Sequence, residues 1–155
     1  MTILVLGIGS PFADDQAGWL VADQLSHVEG LQDKIQSGEL IIDADDRPGL
    51  NLLDWLGRDY EHIHLVDMVK TNLAETGNTY ILQAKEIIGF SGMLSSHNLG
   101  VSPSLALAEV LGIKISHVTF WGIEGERYKP HEEISPEMLL AVGKVAVQIT
   151  NFLLK

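Results

Sequence analysis

The chain has 155 residues, 46% of them hydrophobic, and no cysteine, which predicts one domain (1–155) with a real core and excludes disulfides, thiolate metal sites and cysteine nucleophiles. A formal net charge of −11 argues against a nucleic-acid partner, whose phosphates would be repelled, and leaves two readings open: a solubilising surface, or an acidic face that steers a basic partner protein. No run reaches the roughly 18 to 20 apolar residues needed to cross a bilayer, and the start at a strand, without a basic n-region or cleavage site, predicts no signal peptide and a cytoplasmic protein without membrane attachment.

In chain order, Thr2–Leu6 is a short, nearly all-apolar run, the pattern of a strand buried on both faces. Asp15–Val28 reads as an amphipathic helix with Ala17, Leu20, Val21 and Leu25 on one stripe, and Asp14 or Asp15 can cap its first turn. Leu40–Asp43 is a second strand, Pro48–Leu56 a helix with proline in its first turn, and His62–Asp67 a third strand. The link from Asp67 to Tyr80 is about a dozen residues with a turn signal at Gly77-Asn78. That is too short for a helical crossover, so Thr79–Gln83 is expected to run antiparallel to its predecessor. Gly100–Leu111 is a helix and His117–Trp121 a fifth strand. Pro136–Leu154 is a long helix with Met138, Leu139, Val142 and Val145 at core spacing and Ser135 as N-cap. The sum is a three-layer α/β/α fold: a mostly parallel five-stranded sheet with one antiparallel strand and helices on both faces.

In open α/β sheets, ligands bind outside the carboxyl ends of the strands. Asp15 follows the first strand, Asp67 ends the third, and His97 sits in the loop Ser95-Ser96-His97-Asn98-Leu99-Gly100 ahead of a helix. Asp14-Asp15 could serve as helix cap and first-turn acid, but one carboxylate suffices there and the second is left to face the crevice. A carboxylate ending a buried strand, as at Asp67, costs several kcal/mol unless it is paired, hydrogen-bonded or metal-bound. His97 could merely solvate its loop, yet His62, His64 and His117 lie on strands and His131 follows Pro130, so His97 is the histidine best placed to meet the two acids.

Competing readings are weaker. Gly7-Ile8-Gly9-Ser10 suggests a dinucleotide turn, but it lacks a third glycine, and Asp14-Asp15 would repel a pyrophosphate at the helix start. A turn needing glycine's freedom at positions 7 and 9 explains the same residues. A triad of Ser95 or Ser96 with His97 and Asp67 lacks the Gly-x-Ser-x-Gly elbow, and adjacent serine and histidine side chains rarely align. Two carboxylates and an imidazole suit a nickel- or zinc-type ion with open positions better than calcium or magnesium.

These residues resemble the hydrogenase maturation proteases, endopeptidases that remove a C-terminal extension from the large subunit of nickel-iron hydrogenases. The resemblance runs through Leu6-Gly7-Ile8-Gly9-Ser10-Pro11-Phe12-Ala13-Asp14-Asp15, Leu65-Val66-Asp67, Ser96-His97-Asn98-Leu99-Gly100, Trp121-Gly122-Ile123-Glu124 and Ser135-Pro136-Glu137. It implies an aspartyl-type endopeptidase, expected as a monomer, acting on a hydrogenase large-subunit precursor. Asp15, Asp67 and His97 match the family's metal-contacting residues and stand as the implied catalytic set. The implied metal is nickel brought by the substrate, with no permanent cofactor, and zinc or cadmium able to substitute in vitro. The alternative within the same fold is a non-catalytic assembly factor that binds metal or a partner. Ser10 replaces the usual Asn, the loop to Asp14-Asp15 looks one residue short, and Gln16 replaces a common Gly. Where the family has Asp-Gly-Gly after its second strand, this chain reads Asp43-Ala44-Asp45-Asp46-Arg47, a more acidic rim.

Overall fold

The computed structural model describes residues 1–46, 52–89, 101–126 and 133–155. Five strands form one sheet in the order β2-β1-β3-β5-β4: β1 (Ile3–Gly9), β2 (Leu40–Asp46), β3 (His62–Val69), β4 (Thr79–Gln83) and β5 (Val118–Glu124). All neighbouring pairs are parallel except β4 against β5. The expected mostly parallel sheet with one antiparallel strand is therefore present. β4 reverses direction after β3 as its short link requires, but β5 lies between them, and the hydrogen bonds of β4 go to β5.

Helices α1 (Ala17–Ser26) and α6 (Pro136–Leu153) cover one face, where Val21, Leu25, Met138, Val142 and Ile149 pack on Val5, Val66 and Trp121. Helices α3 (Leu52–Leu56), α4 (Ala84–Gly89) and α5 (Val101–Val110) cover the other, where Leu52, Ile87 and Leu105 meet Leu4, Leu65 and Phe120. β1, β3 and β5 are buried because both of their faces are covered; β1 is all apolar, whereas β3 also holds His62, His64 and Asp67 and β5 Thr119 and Glu124.

Several boundaries move. A 3-10 turn (Ala13–Gln16) precedes α1, so Asp14 and Asp15 are not caps of that helix; Gln16 holds the N-cap position without a side-chain capping bond. β2 reaches Asp46 rather than Asp43, β3 reaches Val69, and β5 runs to Glu124. Helices α2 (Gln32–Ser37) and α4 were not expected, being six residues each and too short to display a full amphipathic period. Leu139, expected in the core, is exposed, because the stripe through Met138, Val142 and Val145 leaves it outside. The proposed helix start at Pro48 and the residue Gly100 lie outside the described residues. No described helix is long and apolar enough to cross a membrane.

Candidate functional site at the topological switch point

Strand β1 sits between β2 and β3, with α1 on one face after β1 and α3 on the other after β2. The chain thus winds in opposite senses from β1, which puts the topological switch point, where such sheets bind ligands, at the carboxyl ends of β1 and β3. Asp15 and Asp67 are brought to that end. The β1–β3 ladder stops at Gly7 opposite Val66, so Asp67 lies one residue beyond it. Asp15 is tied back to the end of β1, since the Ser10 amide donates to the Asp15 carbonyl (3.1 Å) and the Asp15 amide to Phe12 (2.9 Å).

Backbone fit explains the glycines differently from the turn expectation. Gly7 and Gly9 are strand residues without positive φ. A Cβ on Gly7 would lie 2.2 Å from the Gly18 carbonyl oxygen, and one on Gly9 2.3 Å from that of Asp15. Glycine is needed here because helix and turn press directly on the strand. The tight turn also holds Ala13 at φ 47, a left-handed conformation that costs an alanine roughly 1–2 kcal/mol.

The two acids have separate jobs. Asp14 is fully buried and accepts the Ser135 amide on Oδ1 (2.9 Å) and the Glu126 amide on Oδ2 (3.2 Å), pinning the approach to α6 against the end of β5. Asp15, also buried, accepts the Ser10 hydroxyl on Oδ2 at 2.5 Å. Ser10, the apparent departure from the family pattern, is thus a direct partner of the candidate catalytic acid. Asp67 is buried and, by alternation with Val66 and Met68, lies on the α3/α5 face. His97 falls outside the described residues, and among those described no three His, Asp or Glu side chains gather in metal-holding geometry.

Glu124 carries the signal that singled out Asp67, a carboxylate ending a buried strand, and its role is structural. Its Oε1 accepts the Thr71 and Tyr80 hydroxyls, and its Oε2 the Thr71 amide (2.9 Å), so it anchors the segment leaving β3. At the acidic rim, Asp45 is a brace: its carbonyl accepts the Trp19 indole (2.9 Å) and its carboxylate the Trp55 indole (3.2 Å), linking α1 to α3. Arg47 lies outside the described residues.

His62 and His64 occupy the opposite end of β3, and His117 lies just ahead of β5, which begins at Val118 rather than at His117 as expected. His64 is fully buried, with Trp121 donating to its Nδ1 (3.0 Å), so its proton must sit on Nε2, which has no partner among the described residues. Burial, with His62 nearby, pushes its pKa down to about 3. His62 and His117 are lowered mainly by burial as well. These groups are poor candidates for charge-dependent chemistry.

A family model described as hydrogenase maturation protease matches residues 26–152. The hydrogenase 2 maturation protease of Escherichia coli (strain K12) is 29% identical over 152 residues, covering 96% of this chain and 88% of that protein. Among solved structures, the hydrogenase maturating endopeptidase HybD from E. coli superposes with a TM-score of 0.77 at 22% identity, covering 96% of this chain and 90% of that one. The [NiFe] hydrogenase maturation protease HybD from Thermococcus kodakarensis superposes with a TM-score of 0.71 at 22% identity, covering 100% of both chains. The chain belongs to the hydrogenase maturation protease family, and it is a peptidase of the α/β fold described above.

Proposed function

We propose that this protein is a cytoplasmic, monomeric endopeptidase that removes the C-terminal extension of a nickel-iron hydrogenase large-subunit precursor once nickel has been inserted. The observation that carries the site is the placement of Asp15 and Asp67 at the carboxyl ends of β1 and β3, on either side of the switch point. With His97 as third ligand, the two carboxylates would engage the nickel that the substrate itself carries. The scissile peptide is then held in register beside the acids.

Hydrolysis requires a water oxygen to add to the scissile carbonyl carbon while a base takes its proton. The carbon–nitrogen bond then breaks, and the proton passes to the leaving amine. The Ser10 hydroxyl bonded to Asp15 Oδ2 orients that carboxylate for contact with metal or water. A substrate-borne metal accounts for selectivity without a resident cofactor: only a finished precursor completes the site.

The test is mass spectrometry of precursor incubated with wild-type protein, with Asp15→Asn and with His97→Ala. Wild type is expected to shorten nickel-loaded precursor and leave nickel-free precursor whole, and each variant to be slower by about 100-fold or more. Equal cutting with and without nickel overturns metal recognition. Fully active variants overturn the site, and binding without any shortening by wild type supports the assembly-factor reading instead.

A further inference from the structure

A pocket adjoins Asp14, the chain neighbour of the candidate acid Asp15, where the start of α6 meets the end of β5. It is a cavity of about 280 Å³ lined by Asp14, Glu75, Thr76, Glu126, Ser135 and Glu137. Four chain segments build it: the 3-10 turn that carries Asp14, the turn before β4, the residues after β5 and the start of α6. Their packing is close. Gly77, at φ +95, approaches the Glu137 backbone so tightly that a Cβ there would lie 3.0 Å from its carbonyl oxygen. A Cβ on Gly125 would lie 2.6 Å from Met68 Sδ and 3.1 Å from Asp14 Cβ. The Asp14 carboxylate clamps the Ser135 and Glu126 amides.

Two features point to a ligand. Glu75, Glu126 and Glu137 are all exposed at the rim, and no described Lys or Arg pairs with them. Ser135 is 3% exposed, and its hydroxyl, although at the N-cap position of α6, has no hydrogen-bond partner among the described residues. A buried hydroxyl without a partner costs free energy unless something arrives to meet it. Among the described residues no three carboxylates gather in metal-holding geometry. A planar guanidinium, with five N–H donors spread over several directions, can meet several separate acceptors at once.

We propose that this pocket receives an arginine side chain of the protein substrate, the three glutamates surrounding its guanidinium and Ser135 Oγ accepting a hydrogen bond from it. The substrate assignment rests on the endopeptidase reading above; the pocket's chemistry does not. Asp14 and Asp15 are chain neighbours, so an arginine held here registers the substrate close to the candidate cleavage site. Part of the net charge of −11 then has a local purpose.

The probe is N-acetyl-L-argininamide, titrated into ¹⁵N-labelled full-length protein, with N-acetyl-L-norleucinamide as the neutral control. Saturable shifts are expected at the Thr76, Ser135 and Glu137 amides with the arginine probe only, weakened in 500 mM NaCl as for any charge pairing. They are expected to be lost in Glu126→Gln/Glu137→Gln. Absent shifts, or equal shifts with the neutral probe, overturn the pocket. With nickel-loaded precursor, Glu75→Gln/Glu126→Gln/Glu137→Gln is expected to raise KM about tenfold with kcat retained. An unchanged KM overturns the substrate assignment. A wild type that cuts no precursor sinks the endopeptidase reading alone, because the argininamide titration still decides the pocket.

Discussion

At the residue scale, neighbouring carboxylates of one chemical type acquire different roles from what reaches them. Asp14 receives two backbone amides and becomes a clamp, whereas Asp15 receives the Ser10 hydroxyl and remains the candidate catalytic acid. Nothing in Asp14-Asp15 as a dipeptide separates the two, because the deciding donors come from residues up to 121 positions away. His64 shows the same dependence. Its neutral form is imposed by burial between Trp121 and Phe152, and the consequence is a pH prediction. The folded-state pKa of about 3 lies below the unfolded value of 6.5, so the unfolded chain takes up a proton that the folded one does not. Stability is therefore complete above pH 6.5 and lost as pH falls toward 3. From pH 7 to pH 5.5 this group accounts for a loss of about 1 kcal/mol. In urea titrations at the two pH values, His64→Phe is expected to shrink the acid-side loss by that amount. It should also be less stable at pH 7 by about 1–3 kcal/mol, with the Trp121 indole left unbonded. An unchanged pH dependence refutes the assignment.

At the element scale, the joint between α1 and the sheet decides the shape of the site. Gly18 on α1 lies so close to β1 and β3 that an added Cβ would sit 2.1 Å from the Ile8 carbonyl oxygen and 2.5 Å from that of Val66. Backbone atoms cannot swing aside as side chains do, so Gly18→Ala must push the helix off the strands at the switch point itself. We expect it to lower unfolding free energy by about 2 kcal/mol, the scale of an overpacked core. It should also slow precursor cleavage more than an equally destabilising change at the far end of α6, when urea midpoints and rates are measured on the same samples. The amphipathic stripes of α1 and α6 and the apolar runs of β1, β3 and β5 were legible in sequence, because each reflects burial of its own segment. The insertion of β5 between β3 and β4 was not, because a reversal in a short link sets strand direction and leaves the hydrogen-bonding neighbour undetermined.

At the scale of the whole molecule, a net charge of −11 on 155 residues repels itself in the compact state. Screening by salt relieves that repulsion. Raising NaCl from 20 to 300 mM is therefore expected to raise the melting temperature by about 3 °C, the shift of roughly 1 kcal/mol in a chain this size; a flat response would mean that the charges are already compensated locally. The sequence alone was sufficient for the α/β class, for the strands that carry Asp15 and Asp67 to their carboxyl ends, and for the family, since all three follow from local periodicity and from motif order along the chain. Tertiary structure alone separated the Asp14 clamp from Asp15, turned Ser10 and Asp45 from departures into partners, and assembled the glutamate-rimmed pocket over Ser135. Those outcomes depend on contacts between segments distant in sequence, and no local pattern records which donor, which backbone or which neighbouring charge will meet a given side chain.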